Sequence, residues 1–357
     1  MNRIFTLAAS LFMMLSVTVN AQDQTYVMKM KTAKPVGGWI GFYIEVPEGE
    51  DYTVTGATLD PSDGSCQLTS QEVEVRGKIT RFSCSNNELE SLDVSGNPNL
   101  KELYCDDNVL TSLTLGTQPN LTDIYIGNNH LNSVDFSGAT AITSLSTYGN
   151  SLTSLSSDIA PLTNLKELYC RECGLDGILD LTRNPKLEIL AAYNNNLTGI
   201  KLPANSHIGK LEIERNRING QNMTDLVNAL PEYQVLPDYD DFWGMDPQAI
   251  YVFEYDSDVE ENALSVADFN ALKAKGWPVY SVDNVDSFDD TQEVTLETLG
   301  IDAVKSGSAA GGSDAAAVYD LSGRRLSASS LSTLKAGARG GVYVVKAGGT
   351  AKKVVLK

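Results

Sequence analysis

Few residues in this chain have the type and spacing for bond-making chemistry. Cys170-Arg171-Glu172-Cys173 is a C-x-x-C pair, the spacing of redox dithiols and of half a zinc site. A zinc site needs two more ligands, and no second pair or neighbouring histidine accompanies this one. The two cysteines also fall where a repeat, set out below, calls for small inward or turn residues, so they read as structural. His130 and His207 are the only histidines, which leaves little for His-dependent acid–base or metal chemistry. No G-x-S-x-G, H-E-x-x-H or P-loop sequence occurs. Asp256-Ser-Asp258-Val-Glu260-Glu261 has spacing suited to calcium, but it lacks the glycine of an EF-hand loop and reads as a solvated acidic loop. Glu102 with Asp123 can be drawn as a catalytic carboxylate pair. In a chain with 46 acidic residues such pairs arise freely and carry little weight. The expectation is a protein that is not an enzyme, with no cofactor and no metal site.

These residues share a frame. Ile79-Thr-Arg-Phe82-Ser-Cys84-Ser-Asn-Asn87-Glu-Leu89 aligns with Leu100-Lys-Glu-Leu103-Tyr-Cys105-Asp-Asp-Asn108-Val-Leu110, and the frame returns at Leu121, Ile142, Leu165, Leu187 and Ile208. The steps between starts are 21, 21, 21, 23, 22 and 21 residues. Each copy has the form L-x-x-L-x-L/C-x-x-N/C-x-L, and self-similarity at such a period marks a stacked-repeat architecture. Over residues 79–220 the chain resembles the bacterial leucine-rich repeat proteins, including internalin-like ones. The resemblance implies an α/β solenoid curved as a horseshoe, with parallel strands on the concave face and a mostly irregular convex side.

The physics of such a repeat assigns its residues. A strand alternates its side chains, so positions 4 and 6 face one way and positions 3, 5 and 7 the other. One repeat cannot bury its apolar face alone, whereas stacked neighbours share a continuous core. Position 4 supplies Phe82, Leu103, Ile124, Leu145, Leu168, Leu190 and Leu211, and position 11 supplies a second apolar ladder. Asn87, Asn108, Asn129, Asn150, Asn195 and Asn216 form a third, whose amides can satisfy backbone groups at the turn. Cys84, Cys105 and Cys170 take the inward position 6, and Cys173 replaces the ladder asparagine.

The outward positions are free to carry recognition. Tyr104, Tyr125 and Tyr169 stand at position 5, Tyr148 and Tyr193 at position 7, with Arg171, Glu102, Asp123 and Glu167 around them. Tyrosine combines contact area, a hydroxyl and small entropy loss, and with arginine it is enriched at binding hot spots. It also suits strand surfaces by propensity alone. These nine residues are the candidate ligand-binding set of the concave face. A protein partner is expected ahead of a glycan, by analogy with the family. Self-association as a structural surface protein is a third reading.

The flanks give address and caps. Residues 1–21 read as a secretory signal peptide, with Arg3 before the apolar stretch Leu7–Val19. Beyond it no segment is long and apolar enough to span a membrane. Residues 22–78 read as a β-rich N-terminal cap, with strands at Tyr26–Met30, Trp39–Val46, Tyr52–Thr55 and Glu72–Val75. Residues 221–284 read as an α/β C-terminal cap, with helices at Met223–Leu230 and after Ser265, strands at Ile250–Phe253 and Val279–Val282, and two strands added to the solenoid sheet. Residues 285–313 have a linker's composition, and residues 314–357 read as β-hairpins of a small β-sandwich-like module. That tail resembles the C-terminal sorting domain of type IX (Por) secretion cargo of Gram-negative bacteria, apart from its Ser/Ala-rich middle at 327–338. The resemblance implies contact with secretion machinery and a secreted or surface-attached protein. Composition fits an ordinary globular chain at 42% hydrophobic and 20% charged residues, and a net charge of −19 argues against nucleic acid as a partner.

Overall fold

A computed structural model describes residues 26–60, 65–236, 248–254, 261–282, 291–295, 317–320, 341–347 and 350–356. The expected signal peptide (1–21) and the Asp256–Glu260 part of the acidic loop lie outside the described residues, as does the expected linker (285–313) except for residues 291–295, where Thr291–Glu293 form a sheet strand and not a linker. The chain divides into two compact units, Met1–Asn164 and Leu165–Lys357.

The first unit opens with strands β1 (Val27–Thr32), β2 (Trp39–Gly41), β3 (Tyr43–Glu45), β4 (Thr53–Thr55), β5 (Ala57–Leu59), β6 (Ser65–Leu68) and β7 (Glu72–Arg76). It continues with β8 (Arg81–Ser83), β9 (Leu89–Gly96), β10 (Glu102–Tyr104), β11 (Ser112–Thr114), β12 (Asp123–Tyr125), β13 (Ser144–Ser146) and the single-turn helix α1 (Leu155–Asp158). β8, β10, β12 and β13 pair in parallel in that order, one strand per repeat. On the other side of the coil β9 pairs in parallel with β11, and β1 joins β9 antiparallel. Side chains at repeat positions 4 and 6 point inward. Phe82, Cys84, Leu103, Cys105, Ile124, Ile126, Leu145 and Thr147 are fully buried. Burying each aliphatic or aromatic member contributes roughly 1.5–3 kcal/mol.

Trp39–Val46 is not the single strand its pattern suggests. It bends at Phe42 into β2, which pairs antiparallel with β6, and β3, which pairs antiparallel with β8. The physical reason is that Phe42 packs inward against Phe82, ring centroids 5.6 Å apart, while both neighbouring segments need backbone partners. β3 thereby closes the edge of the repeat sheet.

The asparagine ladder carries hydrogen bonds from turn to turn. Asn129 donates to the carbonyls of Cys105 (3.0 Å) and Ile126 (3.1 Å) and accepts from the Leu110 N–H at 3.0 Å. Asn108 and Asn150 repeat the arrangement one turn either side. Asn87 applies it to the cap, bonding both the N–H and the carbonyl of Gly41. The residue before each ladder asparagine is left-handed: Asn86, Asp107, Asn128 and Gly149 have φ of 61°, 54°, 47° and 65°. Asparagine, aspartate and glycine are the residues that tolerate this region best.

The second unit holds β14 (Glu167–Tyr169), β15 (Asp176–Asp180), β16 (Ile189–Ala191), β17 (Asn196–Lys201), β18 (Lys210–Glu212), α2 (Gly220–Ala229), β19 (Ile250–Glu254), α3 (Val266–Ala274), β20 (Val279–Val282) and β21 (Thr291–Glu293). β14, β16, β18, β19 and β20 run parallel in that order, and β21 turns back antiparallel on β20. β15 pairs with β17 on the other side of the coil. The ladder continues through Asn195 and Asn216. Asn262 adds one more rung, accepting from the Ile218 N–H at 2.8 Å and donating to the Ile213 and Val252 carbonyls. Ser265 caps α3 through a reciprocal box with Asp268. Lys275, just past α3, donates to the Val227 and Asn228 carbonyls at the end of α2, where a cation suits the helix's negative end. The tail strands β22 (Ala317–Asp320), β23 (Gly341–Ala347) and β24 (Thr350–Leu356) form a three-stranded antiparallel sheet.

Candidate functional site

In the first unit the outward residues of the repeat strands form an ordered row. Parallel pairing sets Glu102 beside Asp123 and Tyr104 beside Tyr125. The two tyrosine rings stack, centroids 4.9 Å apart and planes 11° from parallel. The Arg81 guanidinium lies 5.0 Å from the Tyr104 ring and 5.5 Å from that of Tyr43, so it sits between two aromatic faces. It also pairs with Glu102 at 3.1 Å and with Glu45 at 3.8 Å. The hydroxyl of Tyr104 donates to Glu102 (3.0 Å), that of Tyr43 donates to Glu45, and that of Tyr125 lies 3.3 Å from Ser144 Oγ. Burial beside a carboxylate raises the Tyr104 hydroxyl well above its ordinary pKa, so it remains a donor.

Tyr148 completes the row differently. Its ring covers Gly127, where an added Cβ would stand 2.1 Å from a ring carbon. The Gly127 N–H donates to Asp106 at 2.8 Å. Asp106 is largely enclosed, and the lost hydration pushes its carboxyl up to about 6 despite that bond.

Neither Tyr43 nor Arg81 is among the residues expected from the sequence. Tyr43 belongs to an antiparallel cap strand, outside the repeat frame. Arg81 is at position 3, and its outward parity was the signal that could have found it.

The second unit differs. Tyr169 remains partly exposed and its hydroxyl donates to Glu167 at 3.4 Å. Arg171 stands over the Tyr193 ring, 5.5 Å from its centroid. Tyr193 itself is buried, at 4% exposure, in a cluster with Ala191, Ala249, Tyr251 and Val282. The expectation that Tyr193 is displayed for a ligand is therefore corrected. Strands β19 and β20 extend the sheet of this unit and build an apolar cluster over Tyr193. Outward Lys210 and Glu212 are buried too, paired at 2.9 Å, with Lys210 near the Tyr251 ring. Arg215 grips Glu254 with two hydrogen bonds, one at 2.6 Å. A buried cation beside a carboxylate and an aromatic ring is structural, because breaking such a pair strands a charge.

Of the residues first weighed for chemistry, Glu102 and Asp123 stand side by side on paired strands. All five cysteines are buried thiols outside any disulfide. Burial pushes the Cys170 thiol well above its usual range, away from the reactive thiolate. His207 Nδ1 lies 3.1 Å from the Pro185 carbonyl and His130 is exposed. Among the described residues no group of three or more His, Cys, Asp or Glu side chains could hold a metal ion, and no helix is long and apolar enough to cross a membrane.

Repeated parallel strands, an inward leucine ladder and an asparagine ladder define a leucine-rich-repeat-like solenoid fold. No protein-family model and no curated protein matches the chain. Among solved structures it is similar to the functional domain of InlJ from Listeria monocytogenes, described as including a cysteine ladder. The identity is 21% and the TM-score 0.34, covering 57% of this chain. The match spans 50% of that structure's length.

Proposed function

We propose that this chain is an exported, non-enzymatic recognition protein that binds a protein partner through the outward strand face of its first unit. The observation that carries the reading is the row Tyr43, Arg81, Tyr104, Tyr125. Large side chains there are fixed by stacking and by hydroxyl–carboxylate bonds while staying partly exposed. Rigid aromatic and arginine groups lose little entropy on binding, the economy found at hot spots. Of the nine residues expected to bind, Glu102, Tyr104, Asp123, Tyr125 and Tyr148 stay in this site; Tyr193 leaves it.

A protein is favoured over a glycan by the stack itself. Sugars recognise aromatic side chains by lying on the ring face, and Tyr104 has Arg81 on one face and Tyr125 on the other. It offers an edge and a hydroxyl. The test compares the full chain with a Tyr104→Ala/Tyr125→Ala variant of unchanged thermal unfolding, by cross-linking to candidate partner cells and on a glycan array. The reading expects the cross-linked protein to be lost with the variant. Glycan binding that survives it, or cross-linking that is indifferent to it, overturns the reading.

Export rests on the sequence of residues 1–21, and use of the type IX route on residues 314–357. Cell fractionation with and without 314–357 tests the second: retention of the shortened chain inside the cell is the expected result, and unchanged surface display refutes it.

A further inference from the structure

The tyrosine face of the first unit carries unbalanced charge. Glu102 and Asp123 each stand two residues before a stacked tyrosine, and Asp106 stands two after Tyr104, so all three share the tyrosines' side of the sheet. Asp107 follows at the turn. Glu102 is neutralised by Arg81. Asp106, Asp107 and Asp123 have no cationic partner among the described residues. Their bonds are to neutral groups: Asp106 accepts from the Gly127 N–H, Asp107 from the Asn128 amide at 2.8 Å, and Asp123 from the Thr122 hydroxyl. By contrast, the outward charges Lys210 with Glu212 and Arg215 with Glu254 of the second unit are paired.

We propose that this face takes up a basic polypeptide segment of a partner protein, whose lysine or arginine side chains pair with Asp106, Asp107 and Asp123 across the edges of Tyr104 and Tyr125. The inference rests on the recognition reading above and narrows its partner. The Tyr104 hydroxyl donates to the Glu102 carboxylate, so its lone pairs remain for an incoming guanidinium or ammonium group. An acidic segment would meet three carboxylates without compensation. Enclosure of Asp106 strengthens its attraction for a cation that displaces water.

The probe is a fluorescein-labelled nona-arginine peptide, with nona-glutamate as its opposite, titrated by anisotropy against the full chain at low and raised salt. The informative variant is Asp106→Asn/Asp123→Asn. The control, Glu72→Gln/Asp176→Asn, removes the same charge from exposed positions elsewhere. The expected result is nona-arginine binding that the first variant weakens tenfold or more and the control by less than twofold, with no nona-glutamate binding. Equal loss in both variants would assign the attraction to the net charge of −19 and overturn the proposal, as would absence of nona-arginine binding. Thermal unfolding of each variant separates lost folding from lost binding. Failure here with continued dependence of partner cross-linking on Tyr104 and Tyr125 would refute the basic partner and leave the recognition reading standing.

Discussion

The ring of Tyr148 rests on the bare Cα of Gly127, one turn earlier in the coil, and a single methyl group there would stand 2.1 Å from ring carbon Cε1. Gly127→Ala must therefore turn the ring aside or shift the strand end. The expected cost is about 1–3 kcal/mol, the usual range for overpacking. Gly127→Ala with Tyr148→Ala should recover most of it, and urea unfolding of the two single variants and the double variant measures the coupling. An unaltered midpoint for Gly127→Ala would show that the ring is not held there.

Asp106 makes stability depend on acidity. Its folded pKa is raised to about 6 from an unfolded value of about 4, so between these pH values the folded state holds more protons. Stability thus falls as pH rises from about 4 to 6, and the loss is complete above 6. Asp106→Asn keeps an acceptor for the Gly127 N–H and removes the ionisation. It should raise stability by about 1–3 kcal/mol at pH 7.5 and by little at pH 4. Thermal unfolding at both values decides, and an equal gain at each would contradict the assignment.

Interior rungs of the asparagine ladder should be sensitive. Asn129→Ala leaves the buried Leu110 N–H without its acceptor, and it takes one of two donors from the Cys105 and Ile126 carbonyls, which keep Asn108 and Asn150. One stranded N–H costs about 1–3 kcal/mol, and a loss in that range is expected in chemical denaturation. A loss below about 1 kcal/mol would show that the amide is dispensable.

The second unit has a local test. Ser265→Ala removes the acceptor of the Asp268 N–H at the start of α3, bonded at 3.0 Å. A cost of about 0.5–2 kcal/mol is expected, and amide exchange should rise across α3. Unchanged exchange there would argue against the cap.

All five thiols should be silent to a thiol reagent in the native protein and react together on unfolding, since each is buried. Rapid native labelling of Cys170 or Cys173 would reopen a chemical role for that pair.

The ladders were readable because they are local and periodic. Leu103, Ile124 and Leu145 recur every 21 residues, and the inward parity of a strand fixes their fate before any long-range contact is known. Asn262 shows where that stops. It forms the next rung after Asn216, but the step is 46 residues instead of 21 to 23, so no frame announces it. Tyr193 shows the complementary failure. Parity assigns it correctly to the outward face, yet Tyr251 and Val282, supplied by later strands, cluster with it. Parity says which way a side chain points, and only the rest of the chain says whether water is there. Arg81 illustrates the same point in reverse, since its partner Tyr43 comes from an antiparallel strand outside the repeat.

Each ladder asparagine bonds its own turn and the one before it, and the cap strand offers Gly41 to the first rung in the same way. The joint between one coil and the next is thus a standard fitting. Excising or duplicating a 21-residue block of the first unit would present the same carbonyls and N–H groups to whichever coil came next. A lineage of such chains can change its number of coils by unequal crossing-over without redesigning either end, and the displayed side chains can be reshuffled in whole units of one strand.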